Sequence, residues 1–127
     1  MRFRAAHHYG RPDWPAERNR AAFGEQSRRH EHLWWVTVSV VGPPRGDTGF
    51  VVDLAALDRV LREVVEPLEG ADLNEVIPEV RSGVMQPSTE SLARWVFDRL
   101  APKIPAPARL ERVRVAESSE LAGEYPA

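Results

Sequence analysis

The sequence predicts an α+β fold, an antiparallel β-sheet with two helices packed on one face. Three observations carry this expectation. Segments near both ends alternate inward and outward residues with period two, as strands do. Two central segments instead repeat apolar residues at helical spacing. The order of these patterns, strand, strand pair, helix, helix, strand, suits helices gathered on one face of an antiparallel sheet. At 127 residues, a single domain spanning 1–127 is expected, long enough to bury a core without covalent staples.

The first strand is read from Phe3, Ala5 and His7, which share one face. Arg2, Arg4, Ala6 and His8 fall on the other, so His8 is expected to be exposed. Residues 9–29 lack strand periodicity. A loop of that length in a small domain is usually functional, with room for a short helical turn over 15–23. The run HEHLWWVTVSVVG is the strongest strand, rich in Val, Trp and Thr. Its even positions are His30, His32, Trp34, Val36, Val38 and Val40. GPPRGDTG reads as a turn and GFVVD as a short return strand, so a hairpin is expected over 30–53.

Asp53 can cap the first helix, whose stripe is Leu57, Val60, Leu61, Val64, Val65 and Leu68. A connecting segment follows, and then Ser88 or Thr89 can cap a second helix. Leu92, Trp95, Val96 and Leu100 are its apolar face. The prolines of PKIPAPAR end it. LERVRVAES is the last strand, with Val113, Val115 and Glu117 on one face, and the tail after it is polar.

Composition excludes several function classes. The 17 basic and 19 acidic side chains leave a formal net charge of -2, which argues against a nucleic-acid binder working by bulk electrostatics. Cysteine is absent, so disulfides, thiolate zinc sites and a cysteine nucleophile are excluded. No apolar run suits a membrane span. The chain opens on a strand pattern with no signal-peptide features, so no leader and a cytoplasmic location are expected.

Two features carry candidate chemistry. On a strand, residues two apart project the same way, so His30 and His32 share a face. With His7 from the first strand they make a three-nitrogen set suited to zinc, with a fourth position free for water or substrate. The same pattern also fits strand-end histidines that hold no ion. Glu117 continues the apolar face of the last strand. It sits either at the sheet's solvent edge or inside against a donor, since an unpaired buried charge is costly. A 2-amino-4-oxo pyrimidine ring, as in pterins and guanine, offers two parallel donors of the right kind.

Taken in order, the motifs resemble the 6-pyruvoyl-tetrahydropterin synthase and 6-carboxytetrahydropterin synthase family, which has the tunnelling fold, or T-fold. FRAAH is similar to the family's opening strand, its first zinc histidine falling on His7. ERNRAAFGEQSRRHEH resembles the loop into the HGH pair, which falls on His30 and His32. GFVVDL, PLEGADLN, PSTESLARW and VAES resemble the family's G-x-V-x-D-F, PLDHxxLN, PT-x-EN-x-A and ET elements, with a distal Tyr125 after the last. The resemblance implies zinc on the three histidines. It also implies a pterin or related purine-like ring anchored by Glu117 beside Ser88 and Thr89. Subunits would assemble into a barrel-like ring, a trimer or a hexamer, with sites at their interfaces.

The departures fall on the family's chemistry. The catalytic cysteine position holds Gln26, and the Asp-His pair holds Glu69 and Gly70. A carboxamide has no usable pKa near neutrality, and a glycine moves no proton. Glu31 replaces the glycine of HGH and points to the opposite strand face. A pterin binder inactive in the family reaction is therefore expected. The alternatives are an active zinc lyase on dihydroneopterin triphosphate, with Glu25, Glu69 or Asp72 as replacement bases, and a structural ring subunit beside an active paralogue.

Overall fold

The computed structural model describes residues 1–127. In chain order the elements are β1 (Arg2–His7), α1 (Ala16–Phe23), β2 (His30–Val41), α2 (Leu54–Val65), α3 (Leu73–Val76), α4 (Pro78–Arg81), α5 (Thr89–Leu100), β3 (Arg109–Ala116) and β4 (Ala122–Tyr125). The four strands form one antiparallel sheet in the order β1-β2-β3-β4. Its inner face presents Phe3, Ala5, Trp34, Val36, Val113 and Val115 to Leu61, Val64, Val65, Leu92, Val96 and Leu100 of α2 and α5. These are the faces the period-two and helical patterns predict, because a one-residue slip of the register would turn these inward side chains out to solvent. Both long helices start on side-chain caps. Asp53 accepts from the Ala55 N–H and Ser88 from the Ser91 N–H, which satisfies donors that no helical carbonyl reaches.

Four local expectations are corrected. Residues 50–53 form no return strand, and 42–53 are turns and bends. Both edges of β2 are already taken, by β1 and β3, so no edge remains for a hairpin partner, and Phe50 is left exposed. The polar tail does form a strand, β4, on the free edge of β3. The connecting segment contains α3 and α4, which bury Leu73, Ile77 and Val80. Asp72 caps α3 by accepting from the Asn74 N–H. Finally, His8 is half-buried rather than exposed. Asn74 at the start of α3 accepts from the His8 N–H at 2.9 Å and donates to the His8 carbonyl at 2.9 Å.

Residues 70–72 also run along the outer edge of β1. The Gly70 N–H donates to the Arg4 carbonyl and the Ala6 N–H to the Ala71 carbonyl. Gly70 has φ +71°, a left-handed conformation that glycine adopts without the penalty a Cβ brings. No helix is long and apolar enough to cross a membrane.

Candidate metal centre and its adjoining carboxylate

The sheet register builds the centre. His7 stands opposite His30, and Ala5 opposite His32. Directly opposed residues of an antiparallel pair share a face, so all three imidazoles project inward at one end of β1 and β2. One ligand atom from each lies within 4.8 Å of the others. Trp34 packs beneath them, its ring edge-on to His7 at 4.8 Å and to His32 at 5.5 Å. Its indole N–H donates to the Ala5 carbonyl at 3.1 Å, which holds the ring in place.

Backbone carbonyls set the tautomers. His7 Nδ1 lies 2.8 Å from the Pro87 carbonyl oxygen, and His30 Nδ1 lies 2.7 Å from that of Arg28. A carbonyl only accepts, so each Nδ1 carries the hydrogen and each neutral ring turns a bare Nε2 to the cluster. The Nε2 atoms of His7, His30 and His32 are all buried without a hydrogen-bond partner. Burial above all, and then the neighbouring His30 and His32, push the His7 pKa down to about 4, against the opposing pull of the Pro87 carbonyl. His7 is therefore neutral at pH 7, the form a metal requires. Three converging, uncommitted imidazole nitrogens, two of them on rings whose second nitrogen a carbonyl orients, fit a zinc-type ion well. These three residues could hold one.

Glu117 lies one step beyond β3, on the face of Val113 and Val115. Its Oε2 is 3.7 Å from His7 Nε2 and 3.7 Å from His32 Nε2, and its side chain is only 9% exposed. That oxygen too is buried without a partner. Of the two placements open to the sequence, the structure takes the interior one. Two further residues come to this place that sequence reasoning did not single out. Tyr9 sets its ring edge-on to His7 at 5.2 Å. Its hydroxyl pKa is pushed up to about 12 by burial first and then by the negative charges of Glu117 and Glu90. Continuing the alternation of Phe3, Ala5 and His7 by one step would have pointed to Tyr9. Glu90 accepts from the Thr89 hydroxyl at 3.2 Å.

The start of α5 is tied to the same spot, because Pro87, which accepts from His7, directly precedes Ser88. Thr89 is buried. The helix start is less open than expected, however. The Ser88 hydroxyl already accepts from the Ser91 N–H, and Gly123 of β4 packs directly over the Glu90 nitrogen.

The residues on which the resemblance places the family's proton-transfer groups, and the candidate replacement bases, lie elsewhere. Gln26 is exposed, and only its backbone carbonyl is engaged, by the Tyr9 N–H at 2.8 Å. Glu25 points to solvent, 3.8 Å from Arg28. Glu69 accepts from the Arg4 backbone N–H at 2.8 Å. Asp72 is committed twice, to its helix cap and to Arg29 at 3.1 Å. None of these side chains is hydrogen-bonded to the histidines or to Glu117 within the chain.

The profile of the family described as 6-pyruvoyl tetrahydropterin synthase matches residues 1–127. The chain belongs to this family. It is 30% identical over 107 residues to the 6-pyruvoyl tetrahydrobiopterin synthase of Poecilia reticulata, covering 82% of this chain and 71% of that one. It is 28% identical over 100 residues to the dihydroneopterin monophosphate aldolase of Pyrococcus furiosus, covering 79% and 80%. The structure of Caenorhabditis elegans 6-pyruvoyl tetrahydropterin synthase superposes with a TM-score of 0.88 at 23% identity, over 98% of this chain and 89% of that one. At that identity the structural likeness is one of fold. The match to the family's T-fold agrees with the sheet and helices expected from the sequence.

Proposed function

We propose that this 6-pyruvoyl tetrahydropterin synthase family member is a single-domain, zinc-holding binder of a pterin or related purine-like ring that has lost the family reaction. The observation that carries this reading is the buried, partnerless Oε2 of Glu117 beside three partnerless imidazole nitrogens. A carboxylate held inside without a donor is costly, and a ring with adjacent amino and N–H groups supplies two. Glu117 would accept both, Ser88 and Thr89 would border the ring, and Tyr9 would close one side. A zinc ion on His7, His30 and His32 would supply Lewis acidity toward a ligand oxygen. The name of the Pyrococcus furiosus relative supports a phosphorylated dihydropterin as the ligand class.

Loss of the reaction is supported by Gln26 and Gly70 standing where the resemblance places proton-transfer groups. The second reading is an active lyase on dihydroneopterin triphosphate, and the aldolase name of that relative favours it. Against it, Glu25, Glu69 and Asp72 are each turned outward or already engaged. The chain would act as a homo-oligomeric ring in the cytoplasm, with neither nucleic acid nor membrane as partner. Trp35, 49% exposed on the sheet face away from the helices, supports burial of that face between subunits.

Calorimetric titration with neopterin or biopterin tests the binding reading. Wild type is expected to bind in the micromolar range or tighter. A hydrogen bond to a charged group contributes about 1.5–3 kcal/mol, so Glu117→Gln should weaken binding about tenfold or more, and Glu117→Ala at least as much. Wild type that takes up neither a pterin nor a guanine-like ring removes the reading. Equal binding by all three proteins removes Glu117 as the anchor.

A further inference from the structure

The segment 8–28, which carries α1, faces α3 and α4 across a cleft of about 590 Å³, a size typical of small-molecule sites. Its charged lining has one sign. Arg11, Arg20, Arg28 and Arg81 line it beside His8, and no aspartate or glutamate does. The chain as a whole carries a formal net charge of -2, so this concentration of guanidinium groups is local. Arg11 is committed to Asp13, to which its Nε donates at 3.1 Å and its Nη2 at 3.2 Å. Arg28 comes no nearer a carboxylate than 3.8 Å, to the exposed Glu25. Arg20 and Arg81 have no carboxylate within 4.0 Å. Cations gathered in a concave space repel one another, and an oxyanion between them relieves the repulsion while accepting their N–H groups. The wall behind them is rigid, because three carboxamides each hold one residue's backbone at both ends. Asn74 does so for His8, Gln86 for Gly10 at 3.2 and 2.8 Å, and Asn19 for Arg11 at 2.9 and 3.1 Å. A wall fixed in advance lowers the ordering cost of binding.

We propose that this cleft is a phosphate site in which Arg20, Arg28 and Arg81 bind a phosphate group, and that the group belongs to the ligand whose ring lies against Glu117. Tyr9 joins the two places. Its ring stands edge-on to His7 at 5.2 Å and also lines the cleft. Arg28 joins them too, since its carbonyl orients His30 at 2.7 Å while its side chain lines the cleft. The shared ligand rests on the pterin reading above, whereas the cleft's affinity for phosphate does not. A ligand spanning both places meets a carboxylate at its ring and guanidinium groups at its tail. The arginines would then select phosphorylated rings over bare ones, because an unphosphorylated ligand leaves them facing one another.

Calorimetry with neopterin, neopterin monophosphate and inorganic pyrophosphate tests both parts. Wild type should bind the monophosphate about tenfold or more tighter than neopterin, the least that one added hydrogen bond between charged groups contributes. Pyrophosphate should bind too, and should displace the monophosphate while leaving neopterin in place. The Arg20→Ala, Arg81→Ala double variant should lose the monophosphate's advantage and pyrophosphate binding, with neopterin affinity unchanged. Arg59→Ala removes an exposed arginine of α2 outside the cleft and should change neither, which separates the cleft from overall charge. The phosphate site is overturned if the monophosphate gains nothing over neopterin and pyrophosphate does not bind. It is equally overturned if the double variant keeps whatever gain wild type shows, or if Arg59→Ala removes as much of it. The wild-type comparison needs no variant to fold. Arginine-dependent pyrophosphate binding without a monophosphate advantage keeps the cleft as a site for free phosphate and sinks the shared ligand. Arginine-dependent pyrophosphate binding in a protein that takes up no pterin ring sinks the pterin reading and leaves the cleft standing.

Discussion

Gly123→Ala is a single methyl group placed far along the sequence from every histidine, and it should disturb the centre. Gly123 lies on β4 against the first turn of α5. A Cβ built there falls 2.5 Å from the Glu90 nitrogen, 2.6 Å from its Cα and 2.7 Å from the Thr89 carbonyl carbon. All three are backbone atoms, so no side chain can swing aside. Reaching ordinary contact requires the strand or the helix start to withdraw by roughly 0.9 Å, a case of overpacking that typically costs about 1–3 kcal/mol. For a chain of this size each kcal/mol lowers the melting temperature by roughly 3–6 °C. The displaced turn follows directly on Pro87, whose carbonyl orients His7 at 2.8 Å. Urea and thermal unfolding of wild type and variant measure the loss, and zinc competition measures the effect on the centre. Stability within about 0.5 kcal/mol of wild type, the usual range for an uninvolved surface change, would refute the argument that β4 seats the helix start.

Three further outcomes follow from the same residues. In metal-free protein, the His7 pKa is depressed from 6.5 to about 4 by burial, so the unfolded state binds a proton that the folded state refuses. Its contribution is then fully present above pH 6.5 and lost as pH falls toward 4, by at most about 3 kcal/mol; His7→Gln should flatten this part of the stability profile measured by urea unfolding. Light scattering at micromolar concentration should give a trimer or a hexamer, because β4 leaves an exposed edge that invites pairing; a monomer contradicts the ring. Dihydroneopterin triphosphate should not be turned over above background, and Gln26→Cys alone should not restore turnover, since Gly70 still supplies no proton-transfer group; robust wild-type conversion, followed by product chromatography, would point to another base.

Much of this protein was legible from one dimension. Period two in MRFRAAHH and HEHLWWVTVSVVG placed His7, His30 and His32 on inward faces, because side-chain direction on a strand depends only on parity. Helical spacing from Leu57 to Leu68 and from Leu92 to Leu100, with Asp53 and Ser88 before them, located α2 and α5, because caps and stripes are local devices. What parity could not decide was which strands meet. GFVVD has strand composition yet forms none, since the edges of β2 were occupied by partners distant in sequence. The short, polar β4 forms because β3 offers it an edge. His8 follows the outward parity of β1 but is half-covered, because Asn74 reaches across from α3. Whether Glu117 is a solvent-edge residue or a buried one was likewise open in the sequence, where it is simply the residue after Val113 and Val115 by alternation. Only the pairing of β1 with β2 and of β2 with β3 brings its oxygen within 3.7 Å of two imidazoles, because the distance between residues 110 and 85 positions apart is set by sheet register and by nothing local.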